Sequence, residues 1–398
     1  MADSRRPAAA VRTVARLRPF ASTIFAEMTD LAIRHDAINL GQGFPDVDGP
    51  PQMLEIARQA IADGINQYPP GSGIPALRQA VAADRADRYG IEHDPDCEVL
   101  VTVGATEAIS AAVLGLVEPG EEVLLTEPYY DSYAAAVALA GATRRTVPLA
   151  RAGAGFVLDV DALHAAITDR TRMLIVNTPH NPTGTVYDET ALTALAELAC
   201  EHDLLVLSDE VYEHLVFDGR RHIPLASLPG MAERTVTVSS AAKTFNVTGW
   251  KIGWALGPRE LIDAVRAAKQ FLTFVGGAPF QPAVAHALTH EQDWIRSMRD
   301  DLQRKRTLLS DALKGAGFGV LDSAGTYFVC ADLTPLGYRD GVAFCRELPE
   351  RIGVAAVPVS VFVDDTQAWN HLVRFAFCKR DDVLADAVDR LRTLQEAL

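Results

Sequence analysis

Paired cysteines, an excess of positive charge and long apolar runs are all missing from this 398-residue chain. Its five cysteines (Cys97, Cys200, Cys330, Cys345 and Cys378) are odd in number, and no two form a CxxC pair. They read as free thiols of a reducing compartment, not as a disulfide framework or a metal cage. Lysine plus arginine number 37 against 52 aspartate plus glutamate, a formal net charge of −15. Broad binding to nucleic acid or to an anionic membrane needs a basic face, so neither is expected. A local cluster of arginine and lysine can still hold an anionic ligand. No eighteen consecutive residues are apolar, so no transmembrane helix is expected. The opening MADSRRPAAAVRTVARLRPF has basic residues but no apolar core. It reads as an N-terminal arm, with a transit peptide as the alternative, and not as a secretory signal. The expectation is a soluble cytoplasmic protein without a metal.

What is present is enough apolar residue, 48% of the chain, to build a sizeable core. The length implies two domains, or a large one with a satellite. From about residue 95 short apolar runs alternate with helical patterns. EVLVTVGA, EEVLLTEPYY, TRRTVPL, TRMLIVNTPHNPTG, LLVLSDEVY, RTVTVSS and KIGWALG read as strands. TEAISAAVLGLV, DSYAAAVALAGA, DVDALHAAIT and DETALTALAELACEHD read as the helices between them. Nearly all-apolar strands alternating with helices predict an α/β fold, with a mixed, mostly parallel sheet between helices. Near residue 285 the texture changes. HEQDWIRSMRDDLQRKRTLLSDALKGAG predicts one long amphipathic helix ended by Gly315 and Gly317. The strands GTYFVCADL, VAAVPVSVF and HLVRFAFC after it predict a small α+β domain.

Open α/β sheets bind ligands outside the carboxyl ends of their strands, and four strand ends here carry unusual residues. In VTVGATEA, Gly104, Ala105 and Thr106 join a strand to a helix and can expose backbone N–H groups to an anion. A tight turn with Thr106 as N-cap explains the same residues. In NTPHNPTG, Asn177 and Asn181 flank a turn stiffened by Pro179 and Pro182; an Asx turn is the plainer explanation. In LSDEVY, Asp209 and Glu210 end a buried strand and need a cationic partner or donors, with Tyr212 close by. In SSAAKTFNVTGWKIGW, Lys243 follows a strand and Lys251 opens the next. A desolvated lysine is a nucleophile suited to Schiff-base chemistry, while two snorkelling surface lysines are the alternative. One ligand satisfies all four ends. It has a phosphate for Gly104–Thr106, Ser240 and Lys251, and a protonatable ring nitrogen for Asp209. It has a phenolate-like oxygen for Asn181 and Tyr212, and an aldehyde for Lys243. Pyridoxal 5′-phosphate carries all of these.

Eight motifs in order, NLGQGFPD, NQYPPGSG, VTVGATEA, EPYYDSY, NTPHNPTG, SDEVYEHLVFDG, SSAAKTFNVTGWKIGW and HLVRFAFCK, resemble the fold-type I, class I pyridoxal-phosphate aminotransferases along nearly the whole chain. Within that class the chain is similar to the kynurenine and glutamine aminotransferase branch, and more so to the N-succinyl-L,L-diaminopimelate aminotransferases. The resemblance implies residues 1–48 as an N-terminal arm and part of the small domain. It implies 49–285 as the large cofactor-binding domain, and 286–398 as the linking helix and small C-terminal domain. It implies Lys243 as the Schiff-base lysine and proton shuttle, and Asp209 as partner of the pyridine nitrogen. Asn181 and Tyr212 would bond the 3′ oxygen, Tyr130 would stack on the ring, and Asn177 would support from behind. Gly104, Ala105, Thr106, Ser240 and Lys251 would hold the phosphate, joined by Tyr68 of a neighbouring subunit in a homodimer with shared active sites. Arg374 would clamp the substrate α-carboxylate, helped by the Gly43 N–H and Asn181. Phe25 and Phe274 would line the substrate pocket, Phe274 from the partner chain.

Two departures from the pattern are His180, where many relatives have Asn, and Thr106, where the kynurenine branch often has Tyr. His180 is either a modulator behind the site or a spacer. No arginine or lysine is clearly placed to grip a succinyl carboxylate, and Arg18 and Arg144 are the candidates. The expected reaction is ping-pong transfer of an amino group from an amino-acid donor to 2-oxoglutarate. A β-lyase acting on cysteine S-conjugates and a non-catalytic cofactor-binding regulator are the competing readings.

Overall fold

The computed structural model describes residues 13–20 and 24–397. Its centre is a seven-stranded sheet. In chain order the strands are β1 (Val99–Val103), β2 (Glu122–Glu127), β3 (Thr143–Pro148), β4 (Thr171–Asn177), β5 (Leu205–Asp209), β6 (Thr235–Ser240) and β7 (Ile252–Leu256). Across the sheet the order is β1-β7-β6-β5-β4-β2-β3. Only β7 runs antiparallel to its neighbours. Strands β2, β6 and β7 are buried at every position, as a sheet covered by helices on both faces requires. Because β7 is reversed, its start lies beside the ends of β1 and β6. Ile252 pairs with Val103 and Gly253 with Ser240, while Asn177 pairs with Asp209. The polar ends of β1, β4, β5 and β6 therefore collect along one edge.

The small domain is a four-stranded antiparallel sheet in the order Gly319–Val320, Phe328–Asp332, Leu372–Ala376, Val357–Pro358. The arm segment Ile38–Asn39 pairs in parallel with Val354–Ala355, and the Leu40 carbonyl accepts from the Ala376 N–H. The long helix runs over Gln292–Gly315 and buries Ile295, Leu302, Leu309 and Leu313, one face at helical spacing. Two expectations are corrected. VAAVPVSVF is not one strand: Val354–Ala355 and Val357–Pro358 are separate pairings, followed by a 3-10 turn over Val359–Phe362. Pro358 has no N–H to continue a ladder. The division at residue 285 falls inside a helix, Phe280–His290, that packs Ala283, Val284, Ala287 and Leu288 against Met53, Leu77, Val81 and Trp254 of the large domain.

Strand alternation explains the fate of the two carboxylates at the end of β5. Asp209 points into the strand-end cleft. Glu210 leaves on the other side and meets Arg85 of the helix Pro75–Tyr89, with Arg85 Nη1 3.0 Å from Glu210 Oε2 and 2.8 Å from Glu213 Oε2. His222 Nε2 lies 3.0 Å from Glu210, the Ser208 hydroxyl donates to Glu210, and the Ser239 hydroxyl donates to Glu213. All of these side chains are buried. Burial opposes ionisation of both glutamates, yet the Arg85 charge holds Glu210 below the usual range and Glu213 down at about 2. Glu210, Glu213 and His222 stand close enough together to hold an ion, but the guanidinium already supplies the counter-charge.

Removing that counter-charge should strand two buried carboxylates. Arg85→Met is expected to destabilise the protein by about 3–5 kcal/mol, read as a lowered midpoint of thermal or denaturant unfolding. An unchanged midpoint would show that Glu210 and Glu213 are balanced by something else.

Candidate active site

A cavity of about 290 Å³ opens at the strand-end edge. One end is built for an anion. The helix Gly104–Leu116 starts at Gly104 in the left-handed region (φ +72°), which glycine adopts without strain. Its first three residues, Gly104, Ala105 and Thr106, line the cavity together with Ser240, Thr248 and Lys251. A Cβ on Gly104 would lie 3.1 Å from Lys251 Nζ, so the amine sits against the turn. Gly253 lets the turn come this close: a Cβ there would lie 2.6 Å from the Gly104 carbonyl carbon and 2.7 Å from the Ala105 nitrogen. Thr106 is the third residue of the helix and not its N-cap. The cap position is Val103, whose N–H donates to Glu107 Oε2 at 2.6 Å. Helix dipole, free N–H groups and a lysine together suit a phosphate.

The middle of the cavity holds Asp209. Its carboxylate accepts from the Tyr133 hydroxyl at 2.5 Å and from the Val211 N–H at 3.2 Å. Asn177 Nδ2 donates to the Asp209 carbonyl at 2.9 Å, and Asn177 Oδ1 accepts from the Asn181 N–H at 2.7 Å. The two asparagines thus lock the β4 turn onto the end of β5. Burial pushes the Asp209 carboxyl up to about 6, against the pull of the Tyr133 and Val211 bonds. A protonated nitrogen placed here would reverse that shift.

Lys243 follows β6 on the short helix Ala241–Thr244. Burial pulls its amine down to about 8; Cys378 and Asp209 push it up, while Arg374 and Lys251 push it down. Nζ donates to the Tyr327 hydroxyl at 2.7 Å. Tyr327 in turn donates to the Gly43 carbonyl and packs edge-on against Tyr212, centroids 5.2 Å apart. Burial pushes the Tyr212 phenol upward, so it stays protonated and able to donate. Tyr130 lines the same wall and packs edge-on against Tyr133.

Arg374 closes the far side. It is 2% exposed, on the strand Leu372–Ala376. Nη1 donates to Asn181 Oδ1 and Nη2 to the Gly41 carbonyl, both at 2.9 Å, while Nε is buried without a partner. The guanidinium carbon lies 3.9 Å from the Phe328 ring centre, 4.8 Å from that of Phe362 and 5.7 Å from that of Phe25. It makes no ion pair among the described residues. A buried guanidinium with an unused donor and apolar walls is suited to a small carboxylate. Gly43 lines this end, and a Cβ there would strike Phe328 Cζ at 2.3 Å, so only glycine lets the arm pass.

The structure therefore brings Gly43, Gly104, Ala105, Thr106, Tyr130, Asn177, Asn181, Asp209, Tyr212, Ser240, Lys243, Lys251, Arg374 and Phe25 to one cavity. Tyr68 and Phe274 do not line it. They are 81% and 50% exposed and pack edge-on against each other at 5.4 Å. His180 is buried behind the turn, Nδ1 2.8 Å from the Thr183 hydroxyl, and burial pulls it down to about 3; it is a neutral packing residue. Neither Arg18 nor Arg144 lines the cavity; Arg18 bonds the Thr13 carbonyl and Arg144 pairs with Asp364 at 2.6 Å. Sequence reasoning missed Tyr133, Thr248, Tyr327, Phe328 and Phe362. Tyr133 lies in EPYYDSY, two residues into a helix that starts at a strand end, and that position was a usable signal. Nothing local marks Tyr327 or Phe362, which arrive from the small domain.

The family description "Aminotransferase class I and II" matches residues 35–391. The solved structure of N-succinyldiaminopimelate aminotransferase from Mycobacterium tuberculosis superposes with a TM-score of 0.95 at 63% identity, covering 96% of this chain and 100% of that one. The methionine aminotransferase of Escherichia coli is 40% identical over 379 residues, 95% of this chain and 97% of its own. Kynurenine–oxoglutarate transaminase 3 of Rattus norvegicus is 35% identical over 420 residues, 99% of this chain and 92% of its own.

An amine at about 8 is neutral in roughly a tenth of molecules at pH 7, against well under a thousandth for an ordinary lysine. Only the neutral form attacks an aldehyde. The rate at which the cofactor-free chain takes up pyridoxal phosphate should therefore climb with pH and level off above about 8, followed by visible absorbance. A rate still climbing tenfold per unit at pH 9.5 would show that the amine is not depressed.

Proposed function

The chain belongs to the class I and II aminotransferases, and on that premise we propose that it transfers the amino group of N-succinyl-L,L-diaminopimelate to 2-oxoglutarate. It is a pyridoxal-phosphate-dependent enzyme. Support for the particular donor is the 63% identity, over 96% of the chain, to the Mycobacterium tuberculosis enzyme of that name. The observation that carries the reaction class is the buried, depressed amine of Lys243 in one cavity with Asp209 and Arg374.

When bound, pyridoxal phosphate supplies a carbonyl to carry the amino group and a ring to delocalise charge from the substrate Cα. The residues fit it. Gly104, Ala105, Thr106, Ser240, Thr248 and Lys251 would hold the phosphate. Asp209, backed by Tyr133 and Asn177, would hold the ring nitrogen protonated, and that cation would draw the carboxyl raised by burial back down. Asn181 and Tyr212 would bond the ring oxygen, and Tyr130 would cover the ring face. Arg374 would take the substrate α-carboxylate in its fork, exchanging the Gly41 carbonyl for a charged acceptor. Phe25, Phe328 and Phe362 would exclude water and so strengthen that pairing. Lys243, once its amine is free, would take the Cα proton and return it on the opposite side of the transfer, acting as base and then acid.

The same premise leads to a homodimer with shared sites. Ile65, Tyr68, Phe271, Leu272 and Phe274 are large, apolar and exposed, and such patches mark association surfaces. Tyr68 would reach the partner's phosphate and Phe274 the partner's substrate. The only cations lining the cavity among the described residues are Lys243, Lys251 and Arg374, and each has a task. A distal succinyl carboxylate would be met at the mouth, where the partner subunit contributes. Free thiols and the absence of a membrane-length apolar helix among the described residues accord with a cytoplasmic site of action.

Assay of the purified enzyme with 2-oxoglutarate should give a much larger kcat/KM for N-succinyl-L,L-diaminopimelate than for kynurenine, phenylalanine, glutamine or methionine. A larger value for any of the four sinks the donor assignment, and pyruvate release from a cysteine S-conjugate without keto acid would favour the lyase. Arg374→Lys is expected to cost about 10²-fold in kcat/KM. Lys243→Ala should lose the visible absorbance and all turnover.

A further inference from the structure

We propose that the Tyr327 hydroxyl is the holding partner of the Lys243 amine whenever that amine is free, and that it ties the position of the amine to the arm backbone at Gly43. The inference rests on Lys243 being the reactive amine of the function proposed above. Its geometry is independent of that chemistry. Lys243 Nζ donates to the Tyr327 oxygen at 2.7 Å, and Tyr327 spends its single O–H on the Gly43 carbonyl. A carbonyl has no proton to give, so the direction of the chain is fixed. The phenol can only accept from Lys243. A lysine that gives one N–H to Tyr327 keeps its lone pair pointing elsewhere, free to take a proton.

The phenol cannot drift. Tyr327 is 1% exposed. Its ring is wedged edge-on against Tyr212, centroids 5.2 Å apart, and Phe328, 4.7 Å apart. The preceding Thr326 sits in the left-handed region (φ +67°), with its hydroxyl accepting from the Phe328 N–H. Threonine is strained there, and the strain is held by packing on both sides. The far end of the chain is the arm. Gly41 is bound by Arg374 and Gly43 by Tyr327, so one stretch of backbone senses both the carboxylate site and the amine. The groups that set the charge of Lys243 from all sides are Cys378, Asp209, Arg374 and Lys251. Tyr327 adds the one directed hydrogen bond. It acts on the reaction through Lys243 and is a positioning residue.

The test uses the full chain. Cofactor-free wild type and Tyr327→Phe are exposed to acetic anhydride across a pH series, and acetylation of the Lys243 peptide is followed by mass spectrometry. Losing the acceptor removes support for the ammonium, so the labelling midpoint should fall by about one pH unit. In the holoenzyme kcat should fall roughly ten- to hundredfold, with KM within about twofold, and the isotope effect with α-deuterated donor should rise. Should Tyr327→Phe unfold, 3-fluorotyrosine at 327 keeps both hydrogen bonds with a weaker acceptor and should shift the midpoint in the same direction. A lowered melting temperature with wild-type labelling midpoint and isotope effect would mark Tyr327 as packing only and overturn the proposal. Lys243→Ala separates the two claims. If it still transaminates, the reading of Lys243 fails. If it is inactive while Tyr327→Phe behaves as wild type, this inference alone fails.

Discussion

Removing the Lys243 amine from water is the constraint around which the rest of the structure is arranged. A buried cation is tolerated only if it loses its proton or finds acceptors. Both happen here: the amine is depressed, and it rests on Tyr327. Asp209 is the mirror case, a buried carboxylate raised by the same desolvation and restrained by Tyr133. Each group keeps its ordinary charge less firmly than it would in water. The sheet topology makes this possible, because reversing β7 brings its start to the ends of β1 and β6, on the edge where β4 and β5 also end. Two charges of opposite tendency, an anion-binding turn and a guanidinium can then share 290 Å³ without pairing off among themselves.

Much of this was legible in the residues. All-apolar strands ended by single polar side chains gave the sheet and its functional edge, and the pairing of small residues with lysines gave the anion site. The long helix ended at Gly315 as the glycine predicted. Three things were not legible. Thr106 looked like a cap because Glu107 can reach back to Val103 only once the helix exists. The strand after residue 353 looked continuous because its composition is uniformly apolar, but it changes partner at Ala356, from Ile38–Asn39 to Val373 and Arg374, and stops at Pro358. Tyr327 and Phe362 lie more than 80 positions from Lys243, and only tertiary packing brings them to it.

The aromatic residues around Arg374 and Tyr327 show how the small domain participates. It carries the guanidinium, the phenol and two of the three rings that shield the guanidinium. The large domain carries the anion turn, Asp209 and Lys243. The arm is bound to the small domain, through Leu40, Gly41 and Gly43. The bonds that cross from one domain to the other are Lys243 to Tyr327 and Arg374 to Asn181, so moving the domains apart must stretch hydrogen bonds inside the cavity itself.

The neighbouring carboxylates at the end of β5 carry one more consequence. Asp209 and Glu210 are chemically almost interchangeable, yet they face opposite sides of the sheet, one toward the cleft and one toward Arg85. A slip of one residue in that strand would put Glu210 in the cleft and Val211 opposite Arg85, or Ser208 in the cleft and Asp209 opposite Arg85. In either case one of the two sites loses its carboxylate. Either slip would be penalised. The pair works as a key that admits one alignment of the strand, so the chain checks its own threading at the place where the chemistry is least forgiving.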